Sequence, residues 1–344
     1  MPQQIARRRL MTAAVGMAAL GGLPGGFTVR SAMSAEAKVR MTTGLRATRQ
    51  ATTWLGAEAG IFKKHDLDVS FPTIGVGGLQ TAGGLMRGDW DFCTTGLLPV
   101  AENVLNGGDV VALLRTAYAH DDQFIASRRE LTTLGQLAGK RFGVVSDAST
   151  GGVGVRARVT LEKAGASATY VGLGSFQNIY TALAKGEIDA GIVPIHMRFS
   201  GETQHGWNIF ELTGFEADVP SVLATTRKLI ASNRDLVMRV VKGNLESIHA
   251  FKTQPAVFVP LLQRFLNLSD RKDAEDMYKF YVPLFPQAPR VALAEGMQSI
   301  RDTFSKKYPA AQKLQESDIS DSSFIDELEK SGFIQRLYAG DMKR

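Results

Sequence analysis

Between residues 46 and 54 the chain places Arg46, Thr48, Arg49 and Gln50 in one short loop, with Trp54 about one helical turn further on. A guanidinium in such a loop clamps a sulfonate, carboxylate or nitrate through its planar fork. Each charged hydrogen bond of that kind contributes about 1.5–3 kcal/mol. The Trp54 indole would stack on a flat ligand. Two further places pair hydroxyls with bare backbone ahead of a helical pattern, Thr94-Thr95-Gly96 and Ser149-Thr150-Gly151-Gly152. The unpaired N–H groups and the dipole of a helix start favour anions, by roughly 0.3–1 kcal/mol when exposed. His196 follows a strand-like run and would line the rim of the same site. Each of these has a plainer reading. Ser149 or Thr150 caps a helix, Arg46 or Arg49 is surface charge, Trp54 is core, and His120 and His196 serve a loop or packing. Taken together, the residue types are those of a binding site for a small anion. Trp54, Phe124 and Phe176 extend this to an aromatic carboxylate, and a neutral pyrimidine-like ligand stays open.

Catalytic spacing is missing from the sequence. There is no H-E-x-x-H, no G-x-S-x-G and no C-x-x-C. The histidines, at positions 65, 120, 196, 205 and 249, are too dispersed for a local metal motif. Cys93 is the single cysteine, so an internal disulfide, a zinc ribbon and a redox pair are excluded. Its strand-like surroundings read as a small buried apolar side chain. The glycine loops at 75–78 and 151–154 do not match the dinucleotide fingerprint, and 135–141 does not match a phosphate loop. The expectation is a protein that is not an enzyme, with no catalytic residue, metal or cofactor.

The elements that must position these residues follow a repeated script. Residues 141–146 are a Val-rich strand, the next segment is a helix ending at Gly165, and 168–173 is a second strand. Residues 176–184 form a helix stopped by Gly186, and 188–193 a third strand. Earlier in the chain, strands are expected at 39–44, 67–72 and 90–94, with helices at 52–62 and from Leu79. The pattern Leu, any, basic, Gly, acidic, bulky apolar, Asp, apolar occurs twice, at 85–92 and 183–190. Gly88 and Gly186 would end a helix, and Asp91 and Asp189 would start the next strand. Alternation of strand and helix predicts parallel pairing with crossover helices, here in two copies. Residues 110–114 are a further strand. Residues 116–127 and 212–226 read as extended crossings between the copies, the second containing strand-like 221–225. Helical stripes follow at 233–252, 255–266, 270–280, 292–307 and 321–331.

The chain has 344 residues, 44% hydrophobic and 22% charged, enough for two modest cores. Half of its net charge of +6 sits in residues 1–37, where four arginines face one glutamate. The remainder is too mild for nucleic acid, and no basic run carries interleaved aromatics. Arg7-Arg8-Arg9 precedes an uncharged, glycine-rich run through Val29, too glycine-rich for a membrane span. Low hydrophobicity behind paired arginines resembles a twin-arginine export signal, with Sec export as the alternative. Ala35-Glu36-Ala37 offers a cleavage site that leaves Lys38 first, and Ala32-Met33-Ser34 a second.

Several stretches, in order, resemble the periplasmic solute-binding proteins of ABC importers, the nitrate, sulfonate, taurine and NMT1/THI5-like group. They are Gly60-Ile61-Phe62-Lys63-Lys64-His65-Asp66-Leu67-Asp68-Val69, with Asp66 where glycine is usual, and the two Leu…Gly…Asp repeats. Leu137-Ala138-Gly139-Lys140-Arg141-Phe142, Asp321-Ser322-Ser323-Phe324-Ile325 and Gly332-Phe333-Ile334 complete them. Val193-Pro194 stands where the group often has Glu-Pro. The resemblance implies an α/β, two-lobed periplasmic binding protein fold of type II, each lobe a parallel-rich sheet flanked by helices, joined by two crossings. The expected division is 1–37 export signal, 38–118 lobe 1, 119–218 lobe 2, 219–290 return to lobe 1 and 291–344 C-terminal helices. It implies a monomeric periplasmic receptor that captures a small solute by hinge closure and delivers it transiently to a membrane permease. A sensor subunit of the same fold is the alternative, and a pyrimidine-precursor enzyme a more remote one.

Overall fold

Phe92 and Cys93 are neighbours in the chain and belong to different cores. In a strand, successive side chains point to opposite faces, and the strand that carries them is buried on both. A computed structural model describes residues 36–118, 123–146, 152–212, 220–268, 270–291 and 296–339. Residues 1–35 of the expected export segment, His120, Ser149, Thr150 and Gly151 lie outside these residues, and the segment's last residue, Ala37, opens the first strand.

Ten strands form two sheets of five. They are β1 Ala37–Thr43, β2 Leu67–Ser70, β3 Phe92–Gly96, β4 Val110–Ala117, β5 Gln123–Ser127, β6 Arg141–Val144, β7 Thr169–Gly172, β8 Ala190–Pro194, β9 Asn208–Glu211 and β10 Ser221–Thr226. The first sheet runs β2-β1-β3-β10-β4 and the second β7-β6-β8-β5-β9. In each, the first three strands are parallel and the fourth is antiparallel to its neighbours. That fourth strand comes from the other half of the chain. β5 follows β4 directly and enters the second sheet, while β10 follows β9 and enters the first. The expected extended crossing at 116–127 is therefore shorter: Thr116 and Ala117 close β4, Gln123 opens β5, and only 118–122 lies between. Residues 221–226 are likewise part of the first sheet. β9 has no counterpart in the sequence expectation.

The helices are α1 Thr52–Glu58, α2 Gly78–Arg87, α3 Leu97–Leu105, α4 Gly152–Lys163, α5 Phe176–Ala184, α6 Ile195–Ser200, α7 Arg227–Ser232, α8 Arg234–Thr253, α9 Pro255–Leu266, α10 Arg271–Tyr281, α11 Gly296–Ser305, α12 Glu316–Ile319, α13 Ser323–Lys330 and α14 Phe333–Tyr338. The single helix expected at 52–62 stops at Glu58, because Gly60 takes φ +74° and a 3₁₀ turn, Phe62–His65, follows. That turn ends at Asp66 in the left-handed region, φ 54°. Aspartate is among the few side chains that accept this conformation, which accounts for its standing where the resembling proteins carry glycine.

The repeated motif has one structural role in both copies. Gly88 and Gly186, at φ 77° and 72°, end α2 and the α5 turn. Asp91 and Asp189 then enter the strands β3 and β8. On the first sheet, Leu223 faces the core that holds α1, α8 and α9, while Val222, Ala224 and Cys93 face the core under α3 and α11. Burial pushes the Cys93 thiol pKa well up. The C-terminal segment closes the second core with Ile300, Phe304, Leu314 and Ile319. Ser320 bridges β4 at Ala112.

Candidate functional site

The 3₁₀ turn Thr48–Gln50 is held from two strands of the first sheet. Thr94 Oγ1 on β3 donates to Gln50 O at 3.0 Å, and Thr116 Oγ1 on β4 donates to Arg49 O at 3.1 Å. Gln50 Oε1 accepts the Leu45 N–H at 2.8 Å and so fixes the loop ahead of the turn. A hydroxyl-bearing strand end thus sets the backbone of the very loop that carries the expected ligand residues. Thr95 sits beneath it: a Cβ placed on Gly44 would lie 3.1 Å from Thr95 Oγ1 and 3.4 Å from Gln50 Oε1. The approach at Gly44 is tight, and it brings Thr95 and Gln50 to one spot.

β10 brings in a residue from far along the chain. Ser221 pairs across from Gly96 on one side and Ala117 on the other. The ends of β3 and β4 and the start of β10 are therefore level. Leu97, the first residue of α3, donates its N–H to Pro220 O at 3.1 Å. In the second sheet Gln123 opens β5 opposite Pro194, where β8 hands over to α6 and His196. The connection 118–122 joins these two edges. Five residues of extended chain, with the bonds at either end, span no more than roughly 20 Å. The carboxyl edges of the two sheets therefore lie within that distance of one another, and α3 of the first half contacts α4 of the second; the region between them is here called the seam.

Polar atoms at this seam are buried and unmet. Thr48 Oγ1, Thr95 Oγ1, Ser221 Oγ and both amide atoms of Gln123 find no hydrogen-bond partner among the described residues. Each of these residues is at most 1% exposed. A buried polar group left without a partner costs about 1–3 kcal/mol, so a cluster of them in a native fold calls for an explanation. Two guanidiniums are nearly buried in the same region, Arg49 and Arg115. The Arg115 guanidinium lies over the Tyr118 ring, 4.8 Å from its centroid.

Of the residues expected from sequence, the fold gathers Thr48, Arg49, Gln50, Thr95 and Gly96 at this seam, and places His196 at its second-sheet edge. Arg46 and Trp54 are occupied elsewhere. Arg46 Nη1 donates to Phe265 O at 2.5 Å, its guanidinium lies over the Phe265 ring, and burial lowers its pKa. Trp54 tilts against the same ring at 5.3 Å and carries Arg264 on its face. It is half-buried, packed against the edge of the core by the end of α9. Sequence reasoning missed Ser221, Gln123 and Arg115 as site residues. Arg115 carried a signal, a lone cation inside the apolar run 110–117. Ser221 and Gln123 carried none, since only strand insertion brings them here.

A cavity of about 260 Å³ lies away from the seam and is lined by Lys64, Glu246, His249, Gln254, Val257 and Phe258 among others. Beside it His65 Nε2 stands 3.2 Å from Glu246 Oε1, close but off the line of a straight hydrogen bond. His65 holds the Glu246 carboxyl below the usual carboxylate range, against partial burial that pushes it up. Among the described residues no group of three or more His, Cys, Asp or Glu could hold a metal ion.

No curated protein matches the chain. Solved structures do. A Bordetella bronchiseptica RB50 protein superposes with a TM-score of 0.71 at 16% identity, covering 86% of this chain and 98% of that one. The alkanesulfonate-binding protein SsuA from Xanthomonas axonopodis pv. citri, bound to MOPS, gives 0.66 at 15% identity, covering 82% and 96%. The periplasmic aliphatic sulphonate binding protein SsuA from Escherichia coli gives 0.61 at 16%, covering 81% and 89%. At these identities the likeness establishes the two-sheet periplasmic binding protein fold. The model of the family described as NMT1/THI5 like matches residues 48–257, more than half of the chain. That stretch holds the turn Thr48–Gln50, both crossings and all of the second sheet, and on this match the chain belongs to the NMT1/THI5-like family.

Proposed function

We propose that this protein is the periplasmic substrate-binding subunit of an ABC-type importer. It holds a small anionic organic solute, of the sulfonate, nitrate or aromatic carboxylate class, between its two sheets and releases it unchanged to a membrane permease. The observation that carries this reading is the set of buried, unmet polar atoms from both sheets at one seam, Thr48, Thr95, Ser221 and Gln123. A ligand bridging the sheets would satisfy them. Arg49, whose backbone Thr116 fixes, supplies the positive charge. Hinging within the crossings 116–127 and 212–226 would bring the edges together, and contacts made only in the closed form drive closure. Sulfonate-binding proteins among the solved structures of this fold favour the same ligand class. Residues 1–37 act as the export signal, twin-arginine in type, and the mature chain acts as a monomer.

The test is a thermal-shift screen of the chain from Lys38 against alkanesulfonates, nitrate and aromatic carboxylates. A ligand of the folded state raises the melting temperature by mass action. Arg49→Ala should abolish the shift. X-ray scattering with the best hit should give a smaller radius of gyration. An unchanged radius with a proven ligand removes hinge closure, and an unaltered response in Arg49→Ala removes the clamp.

A further inference from the structure

Gln123 is an uncharged side chain with no exposed surface, at the first position of β5. Its amide leaves both a donor, Nε2, and an acceptor, Oε1, without a partner among the described residues. A primary amide presents the two side by side in one plane. The group that completes both at once has an acceptor and a donor at the same spacing: a carboxamide, a ureide or a lactam. A bare sulfonate or carboxylate meets Nε2 and sets a second acceptor against Oε1, which repels it. The other unmet groups, the hydroxyls of Thr48, Thr95 and Ser221, have protons to give to acceptor oxygens. Their demand differs from that of Gln123, so a molecule that reaches both edges would carry two kinds of group.

We propose that Gln123 determines specificity, and that the ligand carries an amide-type edge beside its anionic group. This rests on the seam being the binding site. In the ligand-free protein the Gln123 amide is then a liability, removed when ligand arrives.

Two measurements test it. The first is a thermal-shift and calorimetric panel on the mature chain, using carbamoyl, ureido and lactam acids, each beside its plain acid and its N-alkylated counterpart with no N–H. An amide-edged acid should bind, the counterpart without N–H should bind about tenfold more weakly, the loss of one good hydrogen bond, and Gln123→Leu should bind the two alike. The second needs no ligand: Gln123→Leu should melt at or above the wild-type temperature, since an unmet amide gives way to hydrocarbon of similar size. A ligand-free Gln123→Leu protein that melts several degrees lower overturns the proposal and leaves the solute-binding reading standing. Plain acids that bind while amide-edged ones do not have the same meaning. A panel with no response at all counts against both.

Discussion

Asp91 and Asp189 make the same contact in the two sheets. Asp91 Oδ2 accepts the backbone N–H of Arg40 at 2.8 Å, and Asp189 Oδ2 accepts that of Arg141 at 3.0 Å. In return, the Asp91 N–H donates to Arg40 O and the Asp189 N–H to Arg141 O, at 2.8 and 2.9 Å. Each carboxylate also pairs with a guanidinium, of Arg40 in one case and Arg128 in the other. The motif aspartate is thus a side-chain clasp that sets the register between two parallel neighbours, β1 with β3 and β6 with β8. Asp91→Ala and Asp189→Ala should each lower stability by about 1–2 kcal/mol, charged hydrogen bonds discounted for partial exposure. Urea unfolding reads this directly. A large loss at one site and none at the other would break the equivalence.

Adjacent glycines in α2 should respond in opposite directions. A Cβ on Gly84 would fall 2.0 Å from the Trp90 ring, which is anchored by its N–H on Thr81 O at 2.8 Å. Gly84→Ala should cost about 1–3 kcal/mol through overpacking. A Cβ on Gly83 meets only the end of Arg87, at 3.2 Å, and that flexible side chain can move aside. Gly83→Ala should stabilise by about 0.5–1 kcal/mol through helix propensity. Thermal melts of the two variants suffice to compare them.

Glu246 should contribute a pH-dependent term to stability. Its carboxyl is held below the ordinary value of 4.5, chiefly by His65. A depressed carboxylate stabilises the fold fully above its unfolded pKa, and this is lost as pH falls through the lower folded one. The urea midpoints of wild type and Glu246→Gln should therefore differ at neutral pH and converge as the pH falls below the ordinary carboxylate value and through the lower folded one. A gap that stays constant through that range would show the stabilisation to be uncharged in origin.

Thr95→Val and Ser221→Ala should separate binding from folding. Each removes a buried hydroxyl that has no partner in the described residues. Ligand-free stability should hold or rise, by up to about 1 kcal/mol, while affinity for a ligand found by the screen falls about tenfold in each. Calorimetry together with ligand-free melts gives both numbers. A variant that melts lower and binds normally would place its hydroxyl in the fold and not in the site.

Local spacing carried much of this architecture. The Leu…Gly…Asp repeat located two helix ends and two strand starts, because a left-handed glycine and a clasping aspartate are needs of the backbone itself. The loop Thr48–Gln50 and Thr95-Gly96 were legible for a related reason, as chemistry next to a strand end. Gln123 and Ser221 were not, since nothing near them in the chain marks the sheets into which their strands insert. β9 escaped because four residues, Asn-Ile-Phe-Glu, carry too little alternation to separate from a loop. Trp54 looked like a platform for a flat ligand, and the ring that occupies it, Phe265, lies over two hundred residues away.

Because β10 fills the gap between β3 and β4, about a hundred residues must leave the ribosome after β4 before the first sheet can close. At ordinary synthesis speeds that is a delay of roughly 5–20 s. During it the inner edges of β3 and β4 have bare backbone and apolar faces and no strand to cover them, the condition under which a nascent sheet is most open to mispairing.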